Sequence, residues 1–312
     1  MDDGRTETWS RHLRPREPPL TNARHLDGQS GGDLGMVLAT DQIPGTLELP
    51  KNMRKIRIKD RSIVYDIMGT GAVTVLLETG IGAESAEWSS VACTLANHAR
   101  VLVYDRAGRG ASEPACGARD VQDVQSDLCT LIGATDLSPP FVVIGHSFGG
   151  VLVRAFAREH RREVLGLVLA ESMHPRQFDC LGPLFPSPTD SDPRALARMR
   201  SFWQGSWKRT DSTREHLNLT GALDKDRMSA GSFGDLPIRV LSAASFLSAP
   251  NIADEKTRRA LQSQWDRLQR DFHELSSATK AVYLEQSGHF VQRDQPTAIA
   301  NAALELIAVA GH

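Results

Sequence analysis

FVVIGHSFGGVLVRAF, residues Phe141 to Phe156, sets a histidine and a serine between two apolar runs. The first run, Phe141 to Gly145, is short and β-branched, as in a strand whose two faces are both covered. The second, Gly149 to His160, spaces its apolar residues as a helix does. Between them, Gly145-His146-Ser147-Phe148-Gly149 is a G-x-S-x-G turn. A serine at so sharp a strand-to-helix turn takes a strained backbone, which requires small residues two positions to either side. Glycines at 145, 149 and 150 meet that requirement. The motif is short, and its position after a strand and before a helix gives it its weight. A hydroxyl is a poor nucleophile until a base takes its proton, so Ser147 calls for a partner elsewhere in the chain.

Outward from this turn, apolar strand-like runs alternate with helical patterns. The strands are Val73 to Thr79, Val101 to Asp105, Phe141 to Gly145, Gly166 to Glu171, Ile238 to Ala243 and Ala281 to Glu285. The intervals Glu87 to His98, Val121 to Gly133, Gly149 to His160, Asp254 to Leu275 and Pro296 to Val309 fit crossover helices. RKIRIKDRSIVYDIMG, from Arg54, reads as two alternating strands around a turn at Lys59 to Arg61. The expected class is α/β, with one open and mostly parallel sheet flanked by helices. In TRRALQSQWDRLQRDFHE the charges form a solvated helix face, with Leu261, Trp265, Leu268 and Phe272 on the buried side. The rhythm breaks between Met173 and Asp235, where prolines at 175, 183, 186, 188 and 193 and tryptophans at 203 and 207 fill a long connection. Such an insertion above strand ends suits a partly helical, partly apolar lid.

The base follows from the same topology. His289, in QSGHF, comes after the last expected strand and before a helix at Pro296, on a loop that returns to the carboxyl edge of the sheet beside the serine turn.

With these pieces in place, the segment from Met53 to His312 resembles an α/β-hydrolase. ETGIGAESAEW is similar to the family's loop after the third strand and YDRAGRGASEP to its segment after the fourth. GHSFGG, LVLAESMHP, GDLPIRVL and SGHFVQRDQP complete the order. The resemblance implies Ser147 as nucleophile, His289 as base, and an oxyanion hole made by the backbone N–H groups of Ile81 and Phe148. The family's usual His-Gly before that loop is here Thr79-Gly80. Many members carry an acid just past the strand represented by IRVLSA, but Ala244 to Ser248 contains no carboxylate. One strand earlier, Glu171-Ser172-Met173-His174-Pro175 resembles a subset whose acid sits there, with glutamate in place of aspartate. Glu171 is therefore the favoured acid and Asp254 the alternative. Asp105, Arg106 and Arg109 read as a polar network bracing a loop, His146 and His174 as pocket-lining candidates, and Trp88 as packing near the acyl site or as a helix start.

The resemblance implies a cofactor-independent serine hydrolase that cleaves a small-molecule carboxylic ester, lactones and thioesters included. No cofactor or metal is called for. Two rivals stay open. One is acyl transfer, cofactor-free peroxidation or lyase chemistry on the same scaffold, and the other is a non-catalytic ligand-binding homologue. Bulk properties agree with a small-molecule partner. A chain of 312 residues with net charge −2 has no electrostatic footprint for nucleic acid or an anionic membrane. No run reaches bilayer-spanning length and the amino terminus has no apolar core of a signal peptide, so a cytoplasmic location is expected. Cys93, Cys116, Cys129 and Cys180 show no metal or redox spacing and are expected as reduced thiols. Residues 1–52 mix charges, prolines and glycines without apolar periodicity and are expected to be disordered, with Met53 a candidate translation start and 53–312 the folded domain. Composition is silent on oligomeric state.

Overall fold

In the computed structural model, which describes residues 53–190, 192–228, 233–249 and 251–309, the chain enters its sheet through the expected hairpin. Residues 1–52, expected to be disordered, lie outside the described residues. Strands β1 (Arg54–Ile58) and β2 (Arg61–Met68) pair antiparallel, with Ile58 opposite Arg61 and Lys59 turning the corner at φ 56°. Next come β3 (Thr74–Glu78), β4 (Arg100–Tyr104), β5 (Phe141–His146), β6 (Val164–Ala170), β7 (Ile238–Ala243) and β8 (Thr279–Leu284). The sheet order is β1-β2-β4-β3-β5-β6-β7-β8, antiparallel through β2 and β4 and parallel thereafter. Strands β3 and β5 are buried throughout, as their unbroken apolar runs require.

The helices are α1 (Ser89–Leu95), α2 (Val121–Gly133), α3 (Phe148–Glu159), α4 (Gln177–Leu181), α5 (Arg194–Gln204), α6 (Leu219–Met228), α7 (Glu255–Asp271), α8 (Val291–Asp294) and α9 (Pro296–Val309). The first expected helix is shorter than its sequence pattern, because Ser85–Trp88 forms a 3-10 turn and the α-helix stops at Leu95. The helix expected to run to Leu275 ends its α-helical part at Asp271 and continues as a 3-10 turn over Phe272–Leu275. At the start of α2 the Asp123 carboxylate accepts the Asp120 N–H at 2.9 Å, half of a capping box.

Three apolar clusters result. On one face of the sheet Val91, Leu95, Ile299 and Leu306 pack on Val75, Val142 and Val168. Trp88 belongs to this cluster, at the head of α1. On the other face Leu128, Ile132, Val153 and Phe156 cover Leu76, Val143 and Leu167. The third cluster lies between the core and the 173–235 insertion, joining Phe148 and Met173 to Phe178, Trp203, Trp207, Phe246 and Trp265. Within it Phe178 stacks on Trp207 at 4.4 Å between ring centroids. Aromatic side chains of this size each contribute about 1.5–3 kcal/mol by burial, so the insertion is held mainly by its rings.

Candidate active site

Strand β3 is flanked by β4 on one side and β5 on the other, so the chain leaves β3 one way and later returns on the opposite side. In a parallel sheet such a reversal opens a crevice at the carboxyl ends of the strands. Register fixes what faces that crevice. Glu78 stands opposite Gly145, His146 opposite Ala170, and Ala170 opposite Leu241. The loop after β3, Ser147, Glu171 and the residues after β7 therefore emerge at one level.

Ser147 sits between β5 and α3 with φ 53° and ψ −118°, a backbone that a residue with Cβ rarely adopts. Its N–H donates to the Ala170 carbonyl at 3.1 Å, and its own carbonyl accepts from Gly150 at 3.0 Å and Met173 at 2.9 Å. The surrounding glycines are needed for space. A methyl on Gly149 would enter the Glu78 carbonyl, one on Gly145 the Gly149 carbonyl, and one on Gly150 the Ser172 hydroxyl. A methyl on Gly80 would come within 3.1 Å of His146 Nδ1 and 3.2 Å of Ser147 Cβ, so the loop after β3 lies directly on the turn. Phe148 opens α3, where the first amides have no acceptor within the helix. Ile81 lies in the loop against the third apolar cluster. Ser147 is 3% exposed beneath it.

The structure brings His289 to Glu171 and leaves Asp254 apart. Glu171, also at positive φ (46°), is fully buried, and its Oε2 lies 3.5 Å from His289 Nδ1. The same carboxylate accepts from the Ala243 N–H at 2.6 Å, from the Ser245 hydroxyl, and from the Trp265 indole N–H at 2.9 Å. Asp254 instead caps α7, accepting the Thr257 N–H at 2.8 Å and the Thr257 hydroxyl at 2.5 Å. Burial pushes the Glu171 carboxyl up to about 8 against the pull of its three donors, and pushes the His289 imidazole down to about 3. The resting imidazole is therefore uncharged, the form in which a ring nitrogen accepts a proton.

His146 is tied to this pair. Its Nε2 is 2.8 Å from the His289 carbonyl, which only accepts, so Nε2 carries the proton. Gln292 approaches His146 Nδ1 at 3.3 Å, and the two imidazoles lie 4.7 Å apart. Burial, then the neighbouring His289, hold the His146 pKa well below the ordinary histidine value. His174 turns away from the site, receiving the Arg176 N–H at Nδ1 (3.1 Å) and facing Asp271 at 3.4 Å.

The network read at Asp105, Arg106 and Arg109 is more extensive than a braced loop. Asp105 accepts from Ser85 N–H at 2.8 Å and Ala111 N–H at 3.2 Å, and Arg109 lies 3.6 Å from Glu84. Arg106, fully buried, reaches the carbonyls of Thr79 and Gly80 in the loop after β3 and pairs with Glu215 from the insertion. Glu78 accepts the Tyr104 hydroxyl beside it, and burial raises the Glu78 pKa.

Sequence reasoning did not find Ser245, Gln292 or Glu215, and it placed Trp265 only as a core residue. These partners lie far along the chain from the groups they touch, and no local pattern marks them. One signal was available: the stretch after β7, Ala244 to Ser248, contains no carboxylate, and Ser245 lies within it.

Comparison with known proteins agrees with this architecture. The profile described as "Alpha/beta hydrolase family" matches residues 75–302. YqjL, an uncharacterized protein of Bacillus subtilis (strain 168), is 24% identical over 229 residues, covering 73% of this chain and 81% of that protein. Epoxide hydrolase 3 of Xenopus tropicalis is 27% identical over 191 residues, 56% of this chain and 52% of its own. A thermophilic esterase from Thermogutta terrifontis superposes with TM-score 0.54 at 19% identity, over 83% of this chain and 98% of that one, a likeness of fold. Among the described residues no helix is long and apolar enough to cross a membrane. With the profile spanning most of the sheet and every loop of the site, the chain belongs to the alpha/beta hydrolase family.

Proposed function

We propose that the protein is a serine hydrolase that cleaves a small carboxylic ester through an acyl-enzyme. The observation that carries this reading is the placement of Ser147 on a strained turn, one strand from a buried Glu171 whose carboxylate lies 3.5 Å from His289 Nδ1. Ser147 Oγ attacks the acyl carbon while His289 Nε2 takes its proton. The carbonyl oxygen becomes an oxyanion and is met by the N–H groups of Ile81 and Phe148. Collapse of the tetrahedral intermediate breaks the ester C–O bond, and His289 returns the proton to the leaving alcohol. Water, deprotonated by His289, then releases the acid and regenerates Ser147. Glu171 holds the ring by Nδ1–H and stabilises the imidazolium formed at each attack. The 3.5 Å separation is longer than a formed hydrogen bond, and contraction of this contact as charge develops is the geometry expected of a resting enzyme.

The insertion acts as a lid in this reading. Its aromatic underside, continuous with Phe148, Met173 and Ile81, favours an apolar acyl group. Replacing Ser147 by alanine should abolish hydrolysis of p-nitrophenyl esters and labelling by a fluorophosphonate, with an unchanged circular dichroism spectrum. Undiminished turnover by that variant would sink the assignment.

A further inference from the structure

Arg106 and Glu215 form a buried bridge between the insertion and the loop after β3. Glu215 grips the guanidinium side-on, Oε2 to Nε at 2.6 Å and Oε1 to Nη2 at 3.0 Å. The same Oε1 accepts the Gly82 N–H at 3.0 Å. From Arg106, Nη1 donates to the Thr79 carbonyl at 2.8 Å, the Thr79 hydroxyl at 2.9 Å and Glu78 Oε2 at 3.3 Å, and Nη2 donates to the Gly80 carbonyl at 2.7 Å. Both side chains are almost fully buried.

One of these bonds acts on an atom outside the network. The Gly80 carbonyl and the Ile81 N–H belong to a single planar peptide, and in a trans peptide they point in opposite directions. Holding the oxygen on Arg106 therefore aims the Ile81 N–H away from Arg106. Glu215 fixes the next amide, Gly82, so the peptide is clamped on both sides. Glu215, from the insertion, adds the Nε–Nη2 edge of the fork to the bonds that Nη1 and Nη2 make with the end of β3, and so completes the fixing of the guanidinium plane. The segment bearing Glu215 is itself anchored. Arg119 N–H donates to the His216 carbonyl at 2.9 Å, and Asn218 N–H donates to the Arg119 carbonyl at 2.9 Å.

We propose that Glu215 is a positioning residue which, through Arg106, sets the direction of the Ile81 N–H, so that seating of the insertion assembles one half of the oxyanion hole. The catalytic half of this inference rests on the ester-hydrolase reading; the mechanical half does not. A substrate entering under a lifted insertion would meet a loop held by Arg106 alone and so less restrained, and the donor would be fixed in direction as the insertion seats.

The test uses the full chain as wild type, Glu215→Gln and Glu215→Ala, with Asp211→Ala as an exposed control in the same insertion. Hydrogen exchange is followed over residues 79–83. Turnover of a p-nitrophenyl ester is expressed per site counted by end-point fluorophosphonate titration. Glutamine keeps one acceptor and loses the charge, so exchange should rise and kcat per titrated site should fall by about tenfold or more, with the larger effect in alanine. KM should stay within about twofold, as for an interaction made in the transition state. A merely structural role would reduce the number of titrated sites and the melting temperature while leaving kcat per site unchanged, and that result overturns the proposal. Unchanged exchange at 79–83 overturns it as well. If the wild type itself is not labelled at Ser147, the ester reading has failed; the exchange arm then decides alone whether Glu215 clamps the loop.

Discussion

At Glu171, three hydrogen-bond donors and one imidazole converge on two oxygens. Only a carboxylate has acceptors enough for all of them, since a glutamine in its place offers one oxygen and an NH2 group. Glu171→Gln therefore leaves at least one buried donor unpaired, a cost of about 1–3 kcal/mol. It also removes a buried group that can ionise as the imidazolium forms, since an adjacent cation favours the carboxylate against the burial that raises its pKa at rest. The expected outcome is a kcat reduced about a hundredfold or more, together with a lower urea midpoint, read by ester kinetics and chemical denaturation of the same preparation. The nearness of Glu171 and His289 at the strand ends beside Ser147 was legible in the sequence, Ser147 and His289 from the order of strands and helices and Glu171 from the family resemblance. The groups that orient them were not. The Trp265 indole reaches Glu171 from the buried face of a helix, and hydrophobic periodicity reports only that the ring faces inward, not where its N–H points.

At the scale of elements, α7 illustrates both the reach and the limit of such reading. Its apolar spacing was clear, but Phe272 continues the buried stripe past the last α-helical residue, so periodicity alone places the end several residues late. The insertion was recognisable by its prolines and length and was expected to be partly helical, yet the positions of its short helices were not legible, because rings packing across the segment hold them in place. Asp254 gives this scale its prediction. Its carboxylate holds the first turn of α7 from an exposed position, so Asp254→Ala should lower unfolding free energy by about 1 kcal/mol and leave kcat unchanged. Urea denaturation with an ester assay checks both halves, and a loss of turnover without loss of stability would return Asp254 to candidacy as the acid.

Across the whole molecule, burial of His146, His174 and His289 makes stability depend on pH. Burial lowers the pKa of all three, to about 4 for His174 and about 3 for His289. Unfolded histidines titrate near the ordinary value of about 6.5, so below that pH these histidines bind more protons in the unfolded chain than in the folded one. The stabilisation is complete above about 6.5 and is lost as pH falls through the folded values. Glu171, raised to about 8, works in the opposite sense, contributing most below the ordinary carboxylate range and less as pH rises through 8. Glu78, Asp66 and Asp266, also raised by burial, act with Glu171 and reduce the effect; the three histidines should still make melting temperature fall from pH 7 to pH 5, with net proton uptake on unfolding measurable by calorimetry in buffers of different ionisation enthalpy. The sheet itself bears on how the site tolerates motion. Strand β8, which leads to the His289 loop, is an edge strand with residues 280–283 exposed, so it is the least supported strand of the parallel portion. The loop beyond it has a second hold, because the imidazole of His146 donates to the His289 carbonyl directly. The residue just before the serine thus gauges the histidine loop from the buried middle of the sheet, in addition to the edge strand that delivers it.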